Sequence, residues 1–137
     1  VETYPETDIR HIKAQQALDG TAKVMKWADQ YGVHQAWGTD LLNDLEQRAL
    51  QLKDLTMRTK WYDDTTLMIQ ATGNGGETVG LSGKRNPYGK LGVIEPGAVA
   101  DILIVDGNPL EDISVLARPR ENLSVIMKDG KLYKNKL

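Results

Sequence analysis

The sequence predicts an α/β chain, helical for most of its first half and β-rich in its last third. Three observations predict it. An amphipathic stretch from about Thr7 to Tyr31 stops at Gly32; a short apolar run, Val33 to Trp37, leads directly into Gly38-Thr39-Asp40; and the nearly continuous β-branched run "ADILIVD", 100–106, precedes an Asp129-Gly130 pair set between apolar residues. Helical spacing of apolar residues, strand-length apolar runs and a two-residue hairpin signal point to different elements in that order.

In the first stretch Leu18, Ala22, Met25 and Ala28 form one stripe, with Val24, Trp27 and Tyr31 beside it. Thr7 or Asp8 is placed to cap this helix and Gly32 to end it, while Gly20 weakens its interior and could mark a break. Val33 to Trp37 reads as a strand. A second helix fits Leu42, Leu45, Ala49 and Leu52, from about Asn43 to Met57, and a third fits 63–72 with Asp63 or Asp64 as its cap. From Gly73 to Gly92 seven residues of twenty are glycine, so the expectation is a flexible connection, with one helical turn at "GETVGL". Glu95-Pro96-Gly97 suits a type II turn. The run 100–106 reads as a strand covered on both faces, and Asp129-Gly130 as the turn of a closing hairpin. A domain boundary is expected near residue 91, which divides the chain into 1–91 and 92–137.

At 137 residues the chain can bury roughly 68% of its unfolded surface. Seventeen Lys and Arg against nineteen Asp and Glu give a formal charge of −2, with both signs scattered. That balance gives no footprint for nucleic acid or an anionic membrane, and neither partner is expected. There is no cysteine, which removes disulfides, thiolate metal sites and cysteine nucleophiles together. No apolar run approaches the ~20 residues of a membrane-spanning helix. The chain starts at Val1, in what reads as the middle of a loop, so it is expected to be a piece of something longer.

Few residues carry chemistry. The glycine-rich stretch is not a phosphate loop: Gly83-Lys84 is followed by Arg85, Thr78 stands where the first glycine belongs, and G-x-G-x-x-G fails from Gly73 and Gly75. His11 and His34 form neither H-x-H nor H-E-x-x-H. His11 reads as a surface residue. His34 reads as a packed histidine, although strand alternation would put it on one face with Asp40. Lys84, Arg85 and Lys90 surround Asn86-Pro87-Tyr88, a solvated loop in the plainer reading and a contact for an anionic substrate or partner subunit in the other. Asp40 stands apart, because ligands of α/β folds gather beyond the carboxyl ends of strands. An aspartate so placed more often caps the following helix, and both roles stay open.

"AWGTD" at 36–40, "IQATGNGGETVGL" at 69–81, "GVIEPGAVADILIVDGNPLEDI" at 92–113 and "VIMKDGKLYKN" at 125–135 resemble, in that order, the C-terminal part of the metal-dependent amidohydrolase superfamily, nearest its imidazolonepropionase-like branch. The resemblance runs from about residue 9 onward. It implies the C-terminal portion of a (β/α)8 barrel of the TIM type, over 1–91, followed over 92–137 by strands of a small composite β-sandwich. It also implies one or two divalent metal ions, zinc foremost, which activate water against an amide, cyclic amide or dipeptide C–N bond. Of the family's ligands the resemblance places one here, Asp40, as metal ligand and as the catalytic group that takes the proton from water and returns it to the leaving nitrogen. The H-x-H, the bridging lysine and the remaining histidine ligands have no counterpart in this chain. A full barrel needs about 250 residues. The chain alone is therefore expected to be inactive, with the rest of the catalytic chain and a small amide or peptide substrate as partners, and with homo-oligomerisation compatible. The alternative is a non-catalytic α+β module for binding or assembly. Substrate-binding residues are not identified.

Overall fold

The computed structural model describes residues 4–40, 50–86 and 88–137. It divides into two compact units, Val1–His34 and Gln35–Leu137.

In the first unit α1 spans Ile9–Gln30. Asp8 is its N-cap and accepts the Arg10 backbone N–H at 2.8 Å. The Arg10 side chain closes on the same carboxylate, which holds Asp8 below the usual carboxylate range. At the other end Gly32 takes a φ of 60°. The Val33 N–H reaches the Ala28 carbonyl at 2.8 Å and the Gly32 N–H reaches Asp29 at 3.1 Å, the paired bonds of a Schellman cap. Both ends thus fall where the sequence places them, and Gly20 does not interrupt the helix. The apolar stripe is amphipathic but uncovered: only Ala28 is buried, while Leu18, Val24, Trp27 and Tyr31 are exposed.

In the second unit α2 spans Gln51–Met57 and runs into a 3-10 turn, Arg58–Lys60. The expected start of this helix near Asn43 lies outside the described residues. Next come α3, Asp64–Ala71, capped by Asp63 through the Thr66 N–H at 2.7 Å, and α4, Gly73–Gly80. Helix α4 is a departure from expectation, since four of its eight residues are glycine. Its cause is a close backbone approach. A β-carbon on Gly76 would lie 2.6 Å from the Leu91 carbonyl carbon, and one on Gly92 would lie 2.7 Å from that of Thr72. Gly92 also sits at a φ of 77°. The two glycines let the Leu91-Gly92 peptide lie against the α3–α4 junction, which any larger residue would block.

The sheet is three-stranded and antiparallel, in the order β1 (Ile102–Val105), β2 (Leu123–Lys128), β3 (Lys131–Asn135). A 3-10 turn at Ile113–Ala117 and the short helix α5, Pro119–Asn122, join β1 to β2. Ile102 opposes Met127 in the first ladder and Lys128 opposes Lys131 in the second, each ladder carrying one bulge. Asp129 and Gly130 have φ of 49° and 72°, the signature of a type I′ turn. The Ala98 N–H meets the Glu95 carbonyl at 3.1 Å and Gly97 has a φ of 89°, which is the expected type II turn. One expectation fails. The run 100–106 is not covered on both faces, because β1 is an edge strand and Leu103 remains 52% exposed.

Helices and sheet share one core: Leu55 of α2, Leu67 of α3, Ile113 and Leu116 of the 3-10 turn and Leu123 of β2. A second fastening is polar. Asp64 accepts the Ile113 backbone N–H at 3.0 Å across 49 residues of chain.

Candidate functional site

Residues 33–40 form no strand. The apolar run has the composition of one, but a strand is defined by its ladder, and no described segment pairs with it. With no strand over 33–40, alternation does not apply to His34 and Asp40.

What holds residues 35–38 instead is a set of separate bonds from the helices. Asn74 of α4 donates to the Gln35 carbonyl at 2.7 Å, and the Tyr62 hydroxyl donates to the Gln35 side-chain oxygen at 2.7 Å. The Trp37 N–H reaches the carbonyl of buried Gln70 at 3.0 Å. Asp54 of α2 accepts the Trp37 indole N–H at 3.0 Å, and Arg58, the first residue of the 3-10 turn that follows, donates through Nη2 to the Gly38 carbonyl at 3.1 Å and through Nε to Asp54 at 3.3 Å. The Trp37 side chain packs partly against the core and borders an apolar cavity of about 470 Å³, shared with Leu52, Met68, Val105 and Leu116.

Asp40 follows this anchored segment by two residues. It is exposed and takes a φ of 54°. Among the described residues only Asp40 and Asp129 place a side chain in the left-handed region. That region costs about 1 kcal/mol or more for a residue with a β-carbon, least for Asp and Asn. The hairpin accounts for Asp129. The helix that Asp40 would cap falls outside the described residues.

The other sequence candidates are elsewhere. His11 sits on α1 with Nδ1 2.9 Å from the Tyr4 carbonyl oxygen. Lys84 and Arg85 form an exposed 3-10 turn, and Lys90 is paired with Glu95 at 2.6 Å. Asp101, just ahead of β1, accepts Lys128 Nζ at 2.8 Å and the Asp129 N–H at 2.7 Å, which lowers its pKa. Sequence reasoning missed Asp54, Arg58, Tyr62 and Asn74. Only the first two left a signal, an i,i+4 acid-base pair on one helix face.

Among the described residues no three His, Cys, Asp or Glu side chains come together to hold a metal ion, and no buried side-chain nitrogen or oxygen is left without a partner. Asp40 is an exposed carboxylate with no such cluster around it among the described residues.

No protein-family model matches the chain, and no curated protein matches it significantly. Solved structures do. The chain is similar to an amidohydrolase at 34% identity and a TM-score of 0.71, over 84% of this chain and 26% of that one. It is similar to a protein described as uncharacterized at 32% identity and a TM-score of 0.68, over 82% and 26%. It is also similar to a prolidase solved with N-methylphosphonate-L-proline, at 33% identity and a TM-score of 0.69, again over 82% and 26%. The chain spans about a quarter of the length of each of these three structures.

Proposed function

Since this chain belongs to the amidohydrolase superfamily, we propose that it is the C-terminal quarter of a metal-dependent hydrolase of C–N bonds, with Asp40 as its catalytic contribution. The observation that carries the reading is the likeness to an amidohydrolase and a prolidase across more than four-fifths of the chain. In this reading Gln35–Asp40 and the helices around it belong to the end of a TIM-type barrel, and the sheet over 92–137 to a small β-sandwich. The remainder of the catalytic chain would supply the strands beside residues 33–37 and the cover for exposed Leu103, Ile104 and Ile94.

Amide cleavage needs a base for the attacking water and an acid for the leaving nitrogen, because an unprotonated amine leaves poorly. Asp40 can serve as both: its carboxylate accepts the proton from water and delivers it to the nitrogen as the C–N bond breaks. A divalent ion, zinc in this reading, would be held by Asp40 together with residues outside this chain, and supplies the acidified water and the polarised carbonyl. The substrate class is a small amide, cyclic amide or dipeptide. The unaided chain lacks the other ligands and should not turn over substrate.

The test is Asp40→Asn in the complete enzyme. Asparagine tolerates the left-handed backbone and caps a helix as well as aspartate, so folding should be preserved. Turnover should fall by about 10²- to 10⁴-fold, the loss lying in kcat. Near-native turnover would refute the catalytic assignment and leave Asp40 as a helix cap.

A further inference from the structure

We infer that the Arg85–Asn86 peptide bond is a proteolytic processing site for a protease of trypsin-like specificity, and that the two fragments stay assembled after the cut. Lys84 and Arg85 are a basic pair that the proposed chemistry leaves unused. They belong to the 3-10 turn after α4, Gly83–Arg85, which begins at a Gly83 φ of 57° and buries none of its residues. Every residue from Glu77 to Arg85 is exposed. Among the described residues, the hydrogen bonds of 83–89 stay within the loop: the Arg85 N–H to the Ser82 carbonyl at 3.2 Å, the Asn86 N–H to the Gly83 carbonyl at 2.9 Å, Asn86 Nδ2 to the Gly89 carbonyl at 3.1 Å and the Tyr88 N–H to the Asn86 side-chain oxygen at 3.2 Å. Anchoring resumes at Lys90, whose carbonyl accepts the Val99 N–H at 2.9 Å and whose ammonium pairs with Glu95.

A protease takes its substrate in an extended form, so the turn has to open before it is cut. Opening breaks only short-range bonds already in contact with water, which places the segment at the low end of local stability. Adjacent cations without an acid beside them are costly to bury, and neither Lys84 nor Arg85 has an ion-pair partner among the described residues. This polar loop therefore stays in water in the complete protein, unlike the apolar surfaces of Ile94 and Leu103. Hydrolysis adds one water across the bond: the hydroxyl goes to the Arg85 carbonyl carbon and the hydrogen to the Asn86 nitrogen, leaving a carboxylate and an ammonium in solvent. Of the loop's bonds only that from the Asn86 N–H to Gly83 crosses the cut. The fastenings between the fragments lie elsewhere. Leu55 and Leu67, before the cut, pack with Ile113, Leu116 and Leu123 after it, and Asp64 accepts the Ile113 N–H at 3.0 Å.

The experiment is limited proteolysis of the complete protein with trypsin in native buffer, the products identified by mass and N-terminal sequencing. A fragment beginning at Asn86 should appear about 10-fold or more faster than one beginning at Leu132, because Lys131 is also exposed but is held in the β2–β3 ladder. The Lys84→Gln/Arg85→Gln double variant should lose the cut at this loop and keep the parent's Tm. On gel filtration the nicked protein should carry both fragments together, and they should separate only in denaturant. Absence of the Asn86 fragment from native protein, under conditions where the denatured protein yields it, would overturn the inference. Equal rates at Arg85 and Lys131, or release of 86–137 from the nicked protein in native buffer, would overturn it too.

Discussion

Asp40 and Asp129 adopt nearly the same left-handed backbone, φ 54° and 49°, in surroundings of opposite kinds. Asp129 opens the type I′ turn that joins β2 to β3, a turn that requires a positive φ, and its N–H is taken by Asp101. Remove its carboxylate and the reason for its conformation remains. Asp40 follows a segment with no ladder, fastened by single bonds from α2, α3 and α4 and from Tyr62. In the hairpin, backbone strain is part of the local bonding. Before Asp40 the holding comes from helices far along the chain.

Glycine substitution breaks the comparison most directly. Asp40→Gly relieves the backbone cost yet removes the carboxylate, so kcat in the complete enzyme should fall about as far as in Asp40→Asn, by about 10²-fold or more, with stability within about 1 kcal/mol of the parent. Asp129→Gly should leave kcat unchanged. Parallel kinetics that find both variants active, or both inactive, would erase the distinction.

A smaller effect tests whether the two regions share one support. Leu67 is fully buried where helices and sheet meet, and Trp37 packs partly against the same cluster. Leu67→Ala should cost about 2–5 kcal/mol. Amide hydrogen exchange should then show protection falling together at Trp37 and along β2. Loss confined to one of them would make the regions independent.

The smallest effect sharpens the hairpin side. Lys128, and then the Asp129 N–H, hold Asp101 below its ordinary value of 3.8, while Asp101 raises Lys128 above 10.5. A lowered carboxylate stabilises the fold above its unfolded pKa, and that contribution is lost as pH falls through the lowered value. The lysine's part is present below 10.5 and lost as pH rises through its raised value. Asp101→Asn should therefore lower Tm by no more than a few degrees across neutral pH, the gap closing in acid below about pH 4. A gap that persists undiminished in strong acid would mean that charge is not what Asp101 contributes there. The pair is largely exposed, so the effect stays small.

Elements governed by neighbours in sequence were legible from residues alone. The Asp8 and Asp63 caps, the Gly32 stop, the Pro96-Gly97 turn and the Asp129-Gly130 hairpin each depend on a few consecutive residues, and each stands where the chain places it. Elements whose cause lies far along the chain were not. Glycines 73–80 read as a flexible connection, because the Leu91 carbonyl that requires Gly76 to lack a β-carbon is fifteen positions away. The run 33–37 reads as a strand, because apolar composition does not reveal whether a pairing edge is present.

The sequence by itself determined the caps, the turns and the hairpin, since φ preferences and short-range hydrogen bonds are set within a few residues. Only the tertiary structure decided what fastens the backbone ahead of Asp40. The grip of Asp54, Arg58, Tyr62 and Asn74 on residues 35–38 spans 17 to 39 positions of chain. Side-chain hydrogen bonds act over about 3 Å of space, and that proximity exists only once the helices have packed around Leu55 and Leu67.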